Sequence, residues 1–165
     1  MITLRRILVP TDFGDAAGAA LQYARELARE FHAAIDVLHV CDNVLTRGFG
    51  IEGYVAAYPD LQRDVEASAR NHLDALLTDE DRFAFRATPI VLTSNTPALA
   101  IIGYAQESDI DLIVMGTHGR GAMAHLLMGS VAERVVRNGP CPVLIVRQPE
   151  HEFVQPDALV AAAKV

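Results

Sequence analysis

Residues 111–130 read DLIVMGTHGRGAMAHLLMGS, and the parsing of this stretch decides the fold. DLIVMG (111–116) is a continuous apolar run, the pattern of a strand buried on both faces. Ser130 opens a segment that reads as a helix ending at Asn138-Gly139-Pro140, a left-handed cap followed by a breaker. Between them the connection runs from Gly116 to about Gly129, where a strand-to-helix link ordinarily takes about two to six residues. Four glycines in that connection, Gly116, Gly119, Gly121 and Gly129, are free to adopt positive φ and to let backbone amides approach a ligand. Gly129-Ser130 meets a helix start, whose unpaired amides and dipole favour an anion, and His118 and Arg120 add cationic or titratable charge. A phosphate chain suits this chemistry. A structural alternative stays open beside it: Ser130-Val-Ala-Glu133 has the spacing of a capping box, and loop glycines also serve turn geometry alone.

Outward from this strand, RRILVP (5–10), AIDVLHV (34–40), TPIVL (88–92) and PVLIV (142–146) are further short aliphatic runs, giving five strands. An amphipathic helix follows the first, with Ala17, Ala20, Leu21, Ala24, Leu27, Ala28 and Phe31 on one face. A second helix is expected from Asp60 as N-cap, carrying Leu61, Val65, Leu73 and Leu76 inward, and a third from Thr96-Pro97. Strands that alternate with helices and lack a polar face predict a parallel sheet covered on both sides, a doubly wound α/β domain. Right-handed crossovers leave few orders, among them 3-2-1-4-5, in which the winding reverses between strands one and four. Ligands of such sheets bind outside the carboxyl ends of the strands at the reversal, where Thr11-Asp12 and Gly116 fall.

Acidic residues outnumber basic ones 21 to 14, for a formal charge of −7, and the basic residues are dispersed, which disfavours nucleic acid as a partner. No apolar stretch reaches the length of a membrane span or a signal-peptide core, so a cytoplasmic location and no membrane partner are expected. Cys41 and Cys141 lack metal-ligand spacing and read as reduced thiols.

The spacing of the glycine stretch is Gly116, two residues, Gly119, nine residues, Gly129-Ser130. It resembles the G-x2-G-x9-G-[S/T] signature of the ATP-binding branch of the universal stress protein family. RRILVPTDF at the start, DLIVMGTHGRG, and GSVAERVVRNGPCPVLIVR resemble the other family blocks, so the likeness covers residues 4 to about 147. The resemblance implies a nucleotide-binding domain over 1–147 and leaves 148–165 as a C-terminal extension, read either as an unstructured tail or as a helix from Pro156 that docks on a partner subunit. It implies that Asp12 contacts the ribose, with Pro10 and Thr11 on the same edge, and that Val40 touches the adenine. Met115 and Gly116 would support the base and ribose, while His118, Gly119, Arg120, Gly129, Ser130 and Val131 would receive the phosphates. The ligand so implied is ATP, with a divalent ion such as Mg2+ shielding its phosphates, and the assembly is a homodimer paired through the last strand, Pro142 to Val146. Ser94-Asn95-Thr96-Pro97 departs from the glycine-x-proline common before the family's third helix. The connection 41–59 reads as a lid, a partner surface, or a loop folded on its own core.

Catalytic groups are sparse. No G-x4-G-K-[S/T] loop occurs, the single lysine is Lys164, and no G-x-G-x-x-G follows the first strand. His32, His39, His72, His118, His125 and His151 lack metal-ligand or hydrolase spacing. No metal ligands and no catalytic residues are assigned, and the expectation is a regulatory ATP-binding stress-response protein, an enzyme being the lesser reading. The rivals are a slow ATP hydrolase or nucleotidyl-transfer enzyme using Asp12, His118 or Glu133 as base, and a dimeric assembly module whose loop stays empty.

Overall fold

A computed structural model describes residues 2–44, 60–117 and 128–147. The chain runs β1 (Arg6–Pro10), α1 (Asp15–Phe31), β2 (Ala34–Cys41), α2 (Leu61–Leu76), α3 (Asp79–Ala84), β3 (Thr88–Thr93), α4 (Pro97–Glu107), β4 (Leu112–Gly116), α5 (Ser130–Asn138) and β5 (Val143–Val146). All strand pairs are parallel and the order is β3-β2-β1-β4-β5, as the sequence predicts. β1 is central, and Ile7, Leu8 and Val9 are wholly buried, which explains why the run shows no polar alternation. Each such side chain contributes roughly 1.5–3 kcal/mol on burial.

Two apolar layers flank the sheet. Ile7, Val9, Ile35 and Val37 point to one side, against Ala20, Leu21, Ala24 and Ala28 of α1 and Leu73 of α2. Leu8, Leu38, Ile113 and Met115 point to the other, against Ala98, Ile101 and Ile102 of α4 and Ala132 and Val135 of α5. The spacing of Ala98, Ile101, Ile102 and Ala105 is the one that places a single helical stripe on a sheet. α1 buries mostly alanines, so its axis can lie close to the strands.

The helix ends differ from several expectations. α5 begins after Gly129, not with a capping box at Ser130: the Glu133 carboxylate goes to Arg137 one turn on, at 3.0 Å, and only its amide returns to the Gly129 carbonyl. Gly139 closes the helix at φ −63°, ψ 145°, an extended residue and not a left-handed one, because Pro140 follows and biases its predecessor to that region. Asp60 precedes α2 without a side-chain cap, its carboxylate being paired with Arg63 at 2.8 Å. Thr96 likewise makes no side-chain cap, and Pro97 alone marks that start.

The capping box that does form belongs to α3, a helix the periodicity analysis did not anticipate because its six residues are too few to show a repeat. Thr78 Oγ1 accepts from the Asp81 amide at 3.2 Å, and Asp81 accepts from the Thr78 amide at 2.8 Å. Asp81 is almost wholly buried and takes a bidentate pair from Arg25 of α1, at 2.7 and 2.6 Å. Burial pushes its carboxyl upward in pKa, but the Arg25 and Thr78 hydrogen bonds outweigh it and the net displacement is downward.

A carboxylate whose folded pKa is depressed stabilises the fold above its unfolded pKa, and that contribution is lost as pH falls through the folded value. Asp81→Ala leaves Arg25 with a buried, unpaired charge and is expected to lose about 3–5 kcal/mol in urea unfolding at neutral pH. The gap from wild type should narrow below about pH 4, as the wild-type carboxylate protonates. An unchanged midpoint would remove the pair as the anchor between α1 and α3.

Candidate functional site: the crevice between β1 and β4

β1 and β4 are neighbours, Ile7 opposite Leu112 and Leu8 opposite Ile113. The same offset brings Pro10 level with Met115 and Thr11 level with Gly116. Beyond that point the chains part: β1 leads to α1 on one face, β4 to α5 on the other. The carboxyl ends of the two strands are therefore the lips of a crevice at the reversal of winding.

The β1 lip is a tight, hydrogen-bonded turn. Thr11 is buried, and its amide continues the sheet to the Leu38 carbonyl at 2.8 Å. Thr11 Oγ1 accepts from the Phe13 amide and Asp12 Oδ1 from the Gly14 amide, each at 3.0 Å. Phe13 sits at φ 64°, the left-handed region, which costs a bulky residue about 1–3 kcal/mol. Its ring packs on His39 at 4.5 Å and on His72 of α2 at 5.3 Å between centroids. The sequence reading gave no role at this lip to Phe13, His39 or His72, whose rings pack together here. The adjacency of His39 to Val40 at the end of β2 was the available signal.

The β4 lip is set by close packing. A Cβ on Gly116 would stand 2.8 Å from the Ala16 carbonyl carbon and Cβ, so α1 occupies the space a side chain would need. Thr117 is buried; its amide donates to the Val146 carbonyl at 3.0 Å, and its carbonyl accepts from the Gly129 amide at 2.7 Å. This last bond joins the two ends of the glycine-rich connection and sets the first turn of α5 beside the end of β4. Gly129 lies at φ −73°, ψ 155°, and Gly116 is likewise outside the positive-φ region. Neither glycine makes a left-handed turn, and at Gly116 the absent side chain serves the close approach of α1. Ser130 is the exposed first residue of α5, and Val131 is half-buried in the same layer as Val40.

Nine predicted site residues thus stand at this end of the sheet: Pro10, Thr11, Asp12, Val40, Met115, Gly116, Gly129, Ser130 and Val131. His118, Gly119 and Arg120 lie outside the described residues, as do most of the 41–59 connection and the 148–165 extension. Cys41, next to Val40, is buried, and burial together with the Glu66 and Asp42 charges pushes its thiol up, away from the nucleophilic thiolate. Glu66 is committed to Thr93 at 2.6 Å and to Gln62 at 3.1 Å, while Gln62 also accepts from the Val44 amide at 2.9 Å. The start of the 41–59 connection is thereby tied to α2.

A cleft of about 640 Å³ lies at the opposite, amino end of the strands, lined by Arg5, Arg6, Asp36, Arg86, Ser108 and Asp109 among others. Arg6 Nε pairs there with buried Asp36 at 2.8 Å and its Nη1 donates to the Ser108 carbonyl, while Arg86 donates to the His32 carbonyl. Those arginines satisfy the C-terminal ends of α4 and α1, a structural use.

Sheet order and crevice define the class: a doubly wound α/β protein whose winding reverses between strands one and four. The chain belongs to the universal stress protein family, which it matches over residues 3–147. It is 32% identical to universal stress protein MJ0531 of Methanocaldococcus jannaschii, over 90% of this chain and 85% of that one. Among solved structures it is similar to the universal stress protein UspA from Lactobacillus plantarum, with 28% identity, a TM-score of 0.72, and coverage of 89% of this chain and 100% of that one. It also shares its fold with a universal stress protein from Archaeoglobus fulgidus in complex with dAMP, 20% identical with a TM-score of 0.53, covering 88% of this chain and 99% of that one.

Gly116→Val is expected to destabilise the ligand-free protein by about 1–3 kcal/mol through displacement of α1. Thermal unfolding without ligand reads this directly; an unaltered melting temperature would mean that α1 does not need the glycine.

Proposed function

We propose that this protein is an ATP-binding regulator of the stress response, holding the nucleotide between the Asp12 turn and the glycine loop after β4. The observation that carries this reading is the Thr117–Gly129 hydrogen bond, which brings a helix start level with the end of β4 and across from the β1 turn. The amides of the first turn of α5 lack intrahelical acceptors and suit a phosphate. Gly129, not Ser130, is the N-cap of α5, and the Glu133 carboxylate goes to Arg137, which speaks against a capping box at Ser130. In this reading Asp12, Pro10 and Thr11 meet the ribose edge, Val40 the adenine, and Met115 and Gly116 the base and ribose. His118, Gly119, Arg120, Gly129, Ser130 and Val131 meet the phosphates, with Mg2+ carried on the phosphate oxygens. The dAMP complex of the Archaeoglobus fulgidus protein supports an adenine nucleotide as ligand of this fold. One observation favours the rival of an empty assembly module: Gly116 is already explained by its contact with α1.

Titration of Mg2+-ATP into nucleotide-stripped protein should show saturable binding near one equivalent per subunit. Gly129→Val, which puts a β-branched side chain over the α5 amides, should weaken it by tenfold or more, about 1.4 kcal/mol. No heat at several temperatures, with no nucleotide co-purifying, overturns the proposal. Product accumulating beyond one equivalent on long incubation would move the protein to the enzyme reading.

The same reading includes a cytoplasmic homodimer through β5. The two sheet edges are unlike: β3 carries Pro89, which blunts an edge, whereas β5 is Val-Leu-Ile-Val with neither proline nor charge. The Pro142 and Val146 carbonyls both face β4, so by the period of the strand the amides of Val143 and Ile145 face outward. Val143→Pro removes one outward donor and should shift sedimentation from dimer to monomer; a dimer that persists would place the interface elsewhere.

A further inference from the structure

Asp12 is flanked by two residues that touch one and the same side chain. On its amino side, the Thr11 carbonyl lies 2.8 Å from His39 Nδ1. On its carboxyl side, the Phe13 ring lies 4.5 Å from the His39 ring, at an interplanar angle of 35°. A carbonyl only accepts, so Nδ1 carries a proton and donates it. Thr11 is buried, and its carbonyl has its recorded donor in this imidazole. Phe13, between Asp12 and the Gly14 amide that binds Asp12 Oδ1, stands in a left-handed conformation that a phenylalanine does not hold unaided.

We propose that His39 is a positioning residue of the crevice: its Nδ1–H to the Thr11 carbonyl holds the strained turn that aims the Asp12 carboxylate, and the ring face only fills space against Phe13. It acts through the turn and needs no contact with ligand. The consequence for binding rests on the nucleotide reading given above; the hold on the turn does not. A packing histidine would be replaceable by another flat ring, whereas a positioning histidine needs its donor.

Two variants separate these roles. His39→Phe keeps a ring for Phe13 and loses the donor, while His39→Asn loses the ring and keeps an N–H two bonds from Cβ, the place of Nδ1. In the ligand-free protein, amide exchange at Phe13 and Gly14 is expected to accelerate in His39→Phe and to stay near wild type in His39→Asn. Mg2+-ATP affinity should fall about tenfold in His39→Phe and stay within about threefold in His39→Asn. Nitrogen NMR of the wild-type ring should show a proton on Nδ1. Wild-type exchange in His39→Phe, equal acceleration in both variants, or a ring with no proton on Nδ1 would each overturn the proposal. Should wild type bind no nucleotide, the nucleotide reading fails by itself, and the exchange comparison still decides whether His39 holds the turn.

Discussion

Gly116 has no side chain, and the first turn of α1 fills the space where one would be. Much of the site's geometry follows from that contact. Because α1 can settle onto the end of β4, the chain must leave β1 and reverse within four residues, Thr11 to Gly14. That short path is what forces Phe13 to positive φ and folds the Asp12 carboxylate back on the Gly14 amide. With α1 seated on one face, the chain leaving β4 turns to the other, and the two lips stay apart. The alanines along α1 serve the same end, since larger residues at Ala20, Ala24 and Ala28 would lift the helix off the sheet.

The crevice is built from backbone more than from side chains. Thr11 extends the sheet to Leu38, Thr117 extends it to Val146, and Gly129 is bonded to Thr117. Main-chain amides and one helix start suit a ligand recognised by its phosphates, whose charge is diffuse and whose geometry is fixed. Two of the described side chains at this end are engaged by their surroundings: Cys41 is held as the thiol, and Glu66 is bound by Thr93 and Gln62.

The sheet order was legible because buried parallel strands advertise themselves as unbroken apolar runs, RRILVP and DLIVMG being the clearest. The lips of the crevice were legible for the same reason, since strand ends are marked by the first polar residues, Thr11-Asp12, and the first glycine, Gly116. Helix caps were much less so. Ser130 and Glu133 have the right spacing for a box but Arg137 competes for the carboxylate, whereas Thr78 and Asp81 form one in a helix too short to show a period. The Phe13 conformation was illegible in principle, because no local preference puts phenylalanine there; it comes with the short turn between β1 and α1, where the ring packs on His39 and His72, distant in the chain. Glycine freedom was overestimated at Gly116 and Gly129, neither of which takes a positive φ, and at Gly116 the need is for room beside Ala16.

The Thr117–Gly129 bond gives the intervening segment a particular independence. Its ends are fastened to each other by the sheet and by α5, so the loop-closure entropy of residues 118–128 is met by the scaffold whatever their sequence, and it grows only slowly with their number. The arrangement behaves as a socket: the frame of β4, α5 and β5 is complete without the insert. Residues 118–127 can therefore be exchanged for another sequence or length with the cost of closure nearly unchanged, while Met128 stays in the layer of Leu8, Leu38 and Ile113 on which it packs.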